Sequence, residues 1–135
     1  VIARFAQRAP RQNIKVPMQP FIEMLNSIEW TDRNKSSVAL FQLTEKRDTA
    51  VLSSLRRHAL QSLVEMARWK SPGHAQAPFF ILGRVGNIAE EEIWKSWNSS
   101  NRESLIQRVL KSSWGNRTLR CPNSSILCAF SVPLR

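Results

Sequence analysis

The residues able to do chemistry are few. The chain holds two histidines, His58 and His74, and two cysteines, Cys121 and Cys128. His58 falls in the polar series Ser54, Arg57, His58, Gln61, Glu65 and Arg68, so an exposed imidazole without a task is expected there. His74 follows Pro72–Gly73 at a helix start, where it would cap, pack or hydrogen-bond Trp69. Neither has a Ser, Cys or carboxylate at a spacing that marks a catalytic triad. There is no Gly-rich phosphate loop, no HExxH and no GxSxG. Cys121 and Cys128 allow a local disulfide in an oxidising compartment or two free thiols; a metal would need more ligands than this pair. The run Glu90, Glu91, Glu92 reads as helix-start chemistry, because consecutive carboxylates on a helix point in different directions and do not converge on one ion. No catalytic residue, cofactor or metal ligand is therefore assigned. Four Asn-X-Ser/Thr triplets begin at Asn34, Asn98, Asn116 and Asn123, the first two in expected inter-helix breaks. They would matter only in a eukaryotic secreted protein, and Ser- and Asn-rich turns produce them by chance.

Charge is the stronger signal. Twenty Lys and Arg against ten Asp and Glu leave a net +10, a balance that suits acidic proteins, nucleic acid or anionic surfaces. The excess lies toward the two ends, with Arg4, Arg8, Arg11 and Lys15 at one and Arg102, Arg108, Lys111, Arg117 and Arg120 at the other. No aromatic residues interleave with these cations in an RNA-binding pattern. The longest apolar run is about six residues, too short to span a bilayer.

At 135 residues the chain is one domain with room for a core, and its low glycine content favours an all-α fold. It begins at Val1, as a processed product or a fragment would. The segment Asp48 to Ile88 organises the rest. Leu52, Leu55, Ala59, Leu63 and Met66 recur at helical steps, which predicts one long amphipathic helix capped by Asp48 and ended by Trp69 or by Pro72–Gly73. A second helix starts near Gly73 or His74, with Pro78 in its first turn or just past it. Phe79, Phe80, Ile81, Leu82 and Val85 make it apolar almost all round, so it is the expected central buried helix. Gly83 and Gly86 would let a neighbouring backbone approach, or Gly86 would simply end the helix.

Before this pair, a helix over 20–29 would bury Phe21, Met24, Leu25 and Ile28, and one over 33–46, capped by Asp32, would bury Val38, Leu40, Phe41 and Leu43. After it, Asn87 with Glu90 and Ser100 with Glu103 have capping-box spacing. The helices they open would bury Ile93, Trp94 and Trp97, then Leu105, Ile106, Val109 and Leu110 up to about Ser112. Residues 1–19 read as an extended basic arm and 113–135 as an irregular or disordered tail. Trp30, Trp69 and Trp97 each close a helix before a polar break, a weak and unequal internal repeat.

The body, residues 20–112, resembles the HEAT-repeat or armadillo-like class. The likeness is carried by LSSLRRHALQSLVEMARWKSPGHAQAPFFILGRVGNIAEEEIWKSW. EWTDRNKSS and EMARWKSPGHA also resemble stretches of bacterial HEAT-repeat-containing proteins of unassigned function. The resemblance implies a short α-solenoid of about three antiparallel helix pairs and a non-enzymatic scaffold that binds macromolecules along a helical surface. For a protein partner, the surface expected is the exposed stripe Arg57, His58, Gln61 and Arg68, with Lys70. The alternative is nucleic acid held by Arg4, Arg8, Arg11, Arg108, Lys111, Arg117 and Arg120. A homodimer through an exposed helical face is also open.

Overall fold

The computed structural model describes residues 16–99 and 101–115, the last three by backbone alone. Among them are seven helices and no strand. They are α1 Gln19–Leu25, α2 Trp30–Leu43, α3 Thr49–His58, α4 Leu60–Ala67, α5 Pro72–Val85, α6 Glu90–Asn98 and α7 Arg102–Gly115. The chain is all-α. None of these helices is long and apolar enough to cross a membrane. Of the expected arm and tail, residues 1–15 and 116–135 lie outside the described residues, Cys121 and Cys128 with them, and α7 runs to Gly115 rather than Ser112.

The apolar helix is central, as its composition demands. α5 packs against α2, α3, α4, α6 and α7, and every residue from Pro78 to Val85 is buried. Pro72 occupies its first turn, where a missing N–H costs nothing. Pro78 lies deeper than the first turn, and has no N–H to give the carbonyl of His74. The two glycines admit side chains and not backbone. A Cβ on Gly83 would lie 2.5 Å from Ile93 Cδ1, and one on Gly86 would lie 2.5 Å from Val109 Cγ2. Neither glycine has a positive φ, so the space they leave is their contribution. Phe80 then stacks edge-on against Trp94 of α6 at 4.5 Å and Phe41 of α2 at 5.8 Å, and Phe79 meets Trp97 at 5.4 Å.

The polar break in this apolar column is Arg84, buried at 4% exposure. Its Nη1 donates to the Phe41 carbonyl (2.6 Å) and to Thr44 Oγ1 (3.0 Å). Its Nε and Nη2 donate to the two carboxylate oxygens of Glu90, at 3.2 and 2.7 Å. Arg47 Nη2 adds bonds to Glu90 Oε2 (3.0 Å) and the Ile88 carbonyl (2.6 Å). The C-terminal end of α2, the C-terminal end of α5 and the first residue of α6 are thus tied by one charge network.

Several expectations are corrected. Asn87 and Glu90 do not form a capping box: Asn87 has φ 56°, Ala89 is the N-cap, and the Glu90 carboxylate serves the two arginines. Ile28 lies past α1 and is 96% exposed, because α1 stops at Leu25. Trp30 opens α2 instead of closing α1 and is exposed, as are Val38 and Trp94. Asp32 sits in the first turn of α2, accepting from Ser27 Oγ (3.4 Å), while Glu29 is the N-cap. Asn34 is inside α2, not in a break. Asp48 does cap α3, its Oδ1 accepting from Ala50 N–H (2.9 Å) and Val51 N–H (3.1 Å).

Two outcomes follow from this packing. Gly83→Ala gains about 1 kcal/mol of helix propensity but forces Ile93 to shift in a full core, an overpacking cost of roughly 1–3 kcal/mol. Urea unfolding should show a net loss of about 1 kcal/mol with unchanged helical circular dichroism. For Glu90, the Arg84 hydrogen bonds hold the carboxyl below its ordinary 4.5 against the opposing effect of burial, and Arg47 helps. A carboxyl lowered by folding stabilises the fold above its unfolded value and loses that contribution as pH falls through its folded value. Glu90→Gln leaves Arg84 buried without its anion, and should cost about 2 kcal/mol at neutral pH, reduced from the usual buried-pair loss because Glu90 itself is partly exposed. Below about pH 4.5 the variant should lose less further stability than the parent in a pH series of denaturant melts.

Candidate partner-binding groove

The periodicity of residues 48–69 predicts one helix, and the structure contains two. Ala59 interrupts the run with φ −135° and ψ 4°. A side chain from elsewhere engages the chain at this point. Asn26, the C-cap of α1, donates from Nδ2 to the His58 carbonyl at 2.9 Å, and its Oδ1 accepts from Ser62 Oγ at 2.6 Å. In a continuous helix the His58 carbonyl would bond the Ser62 N–H; a side chain inserted into that ladder bends a helix. The apolar faces on both sides stay in phase, with Leu55 and Ala59 buried before the bend and Leu63, Val64, Met66 and Ala67 after it.

A groove of about 950 Å³ opens at this bend, lined by the end of α3, the start of α4, Asn26, and Gln107, Leu110 and Lys111 of α7. Its floor is apolar: Ala59 is buried, and Leu60 and Leu110 are half-buried. Its rim carries Arg57, His58 and Lys111, all exposed, and none of its lining residues is acidic. Arg56 also lines it, but its Nη2 is engaged by the Val85 carbonyl at 2.8 Å, closing the C-terminal end of α5.

The groove regroups the residues singled out from sequence. Arg57, His58 and Gln61 come together on it. Arg68 does not: its guanidinium forks onto Glu103 of α7, with Nε–Oε2 3.1 Å and Nη2–Oε1 2.6 Å. That contact raises the Arg68 pKa and lowers that of Glu103, whose carboxylate also accepts from Gln107. Glu103 is thereby engaged, while Ser100, its expected capping partner, lies outside the described residues. Lys70 is exposed in the α4–α5 connection, away from the groove. Of the residues considered for nucleic acid, Lys111 joins the groove and Arg108 is ion-paired with Glu92. Arg4, Arg8, Arg11, Arg117 and Arg120 lie outside the described residues. The Arg108–Glu92 pair sits in a second hollow of about 550 Å³ that also holds Glu91 and Lys95, a surface of mixed sign.

His74 does not bond Trp69. Its Nδ1 is 3.2 Å from Asn34 Oδ1 and its ring packs edge-on against Trp30 at 5.2 Å; it lines neither hollow. Among the described residues no three His, Cys, Asp or Glu side chains gather as a metal site. Asn26, Arg56, Ser62 and Gln107 line the groove without any sign of it in the sequence reading. Leu110, expected in the core, is half-buried at the groove floor, and Asn26, inside the expected helix over 20–29, is the C-cap of α1.

No protein-family model, curated protein or solved structure matches the chain.

If Asn26 holds the bend, Asn26→Ala should lower stability by about 1 kcal/mol, the usual net value of such hydrogen bonds where water can reach the groups released. Asn26→Asp should not restore the His58 bond, since a carboxylate cannot donate to a carbonyl. Chemical denaturation of the three proteins checks both statements.

Proposed function

We propose that this chain is a non-enzymatic helical module that binds a protein partner in the groove at the α3–α4 bend. The observation that carries the reading is the meeting of Arg57, His58 and Gln61 over a half-buried apolar floor. A concave site with an apolar base and a few polar groups at its edge is the usual form of a recognition site. The histidines support a binding role over catalysis. His74 is spent on Asn34 and Trp30, and His58 has no carboxylate or cysteine among the residues of its groove. The proposal includes a short HEAT-like solenoid as the scaffold. In support, α1 packs on α2, α4 on α5 and α6 on α7, each pair joined by a short connection, as antiparallel neighbours are.

Nucleic acid is the second reading, favoured by Lys111 standing with Arg57 and His58 in a chain of net charge +10. Against it, the described residues that line the groove include no aromatic ring for a base to stack on, and Arg108 is paired with Glu92.

A photo-crosslinking residue at Gln61 separates the two. In native cells it should give adducts that proteases remove and nucleases do not, while the same residue at Lys35, exposed on α2, should give none. Nuclease-sensitive adducts, or binding of duplex DNA that falls with a log–log salt slope near 0.9 per phosphate contact, would transfer the groove to the second reading. Absence of any adduct at Gln61 would remove both.

A further inference from the structure

Resting on the protein-partner reading, we propose that the groove takes an acidic amphipathic segment, with apolar side chains seated on Leu60 and Leu110 and carboxylates facing Arg57 and Lys111.

The argument is one of charge accounting. Among the described residues five arginines are matched to acid at short range, while Arg102 lies over Trp97 and Arg56 bonds the Val85 carbonyl. Arg33 pairs with Glu65, Arg47 and Arg84 with Glu90, Arg68 with Glu103, and Arg108 with Glu92. The effect is visible in Glu65, Glu92 and Glu103, whose carboxyls are all held below their ordinary values by the arginine hydrogen bond. At the groove the pattern stops. Arg57 and Lys111 come from α3 and α7, face the same hollow, and meet no carboxylate among its lining residues. Two cations from different elements, gathered beside apolar surface with no anion, are complementary to a ligand that brings both carboxylates and apolar groups.

The same features choose among occupants. A phosphodiester backbone would use the cations but leave the Leu60 and Leu110 surface without a partner, and the described lining residues include no aromatic to take a base instead. A second copy of this chain would bring its own +10, and like charge opposes that approach. An amphipathic helix about 10 Å across, with leucines at i, i+3 and i+4, presents an apolar stripe and a polar edge together, as helix-in-groove recognition requires.

The test is selection of a random phage-displayed peptide library against the whole chain, followed by binding of the selected peptides to the double variants Arg57→Glu/Lys111→Glu and Arg57→Gln/Lys111→Gln. Both sites are exposed, and circular dichroism melts confirm that each variant is folded. The expected result is enrichment of sequences rich in Asp and Glu with apolar residues at helical spacing. Their affinity should fall at least tenfold in the charge-reversed variant, less in the neutral one, and should weaken as salt is raised past about 0.1 M, where the screening length shrinks to about 10 Å. Enrichment of uncharged or basic peptides, enrichment indifferent to both variants, or no enrichment at all would overturn the proposal. So would a Gln61 crosslink that maps to residues 1–15 or 116–135 of the chain itself, or to a second copy. A failed selection beside foreign-protein adducts at Gln61 would leave the broader partner-binding reading standing; failure of both would end it.

Discussion

A guanidinium in the middle of the most apolar helix sets the terms for the rest of the structure. Arg84 cannot stay charged and buried unless its donors are filled, because a lone ion in the interior costs several kcal/mol. α5 supplies none of the acceptors. They come from the C-terminal end of α2, as the Phe41 carbonyl and Thr44 hydroxyl, and from Glu90 at the start of α6. The Arg84 guanidinium also lies over the Phe41 ring at 4.7 Å, so its flat face is covered as well as its edges. Satisfying one side chain therefore places two helices against a third.

The same economy runs through the connections. Arg47 takes a left-handed backbone (φ 52°) and reaches the Ile88 carbonyl and Glu90. Arg56 closes the end of α5 at Val85. Arg33 lies over Trp69 at 5.5 Å while pairing with Glu65, and Arg102 lies over Trp97 at 5.1 Å. Arginine suits these tasks because its planar fork bonds several acceptors at once and its face stacks on rings. Five arginines of the described fold, Arg33, Arg47, Arg68, Arg84 and Arg108, are thus engaged by carboxylates within it, and the proposed binding site draws on cations that are not. Arg57 and Lys111 at the groove are of that kind, whereas Arg68 and Arg108 are not.

The bend at Ala59 borders the groove proposed as the binding site. A straight helix from Asp48 to Trp69 would leave its carbonyls satisfied internally. Asn26 takes one of them and redirects the chain, and the change of direction opens the hollow between the α3–α4 junction and α7. The groove thus includes an interaction of Asn26, at the end of α1, with residues far along the chain.

Periodicity and composition determined the helical class, the central place of the Phe79–Val85 run, the Asp48 cap, and the exposure of Arg57, His58 and Gln61. Each of these follows from neighbours in sequence, where side chains a few residues apart share a face. Tertiary structure decided the rest. The spacing of Asn87 and Glu90 points to a cap, and the buried Arg84 claims the carboxylate instead because an unmatched charge inside costs far more than an uncapped helix end. Val38 and Trp94 carry the right residue types for a core and lie on its exposed border instead, since helical spacing assigns a face but not where the neighbouring helix stops covering it. Lys111 beside Arg57 is a long-range pairing of the same sort. Such pairings depend on which helices meet, and a pattern of period 3.6 holds no information about that.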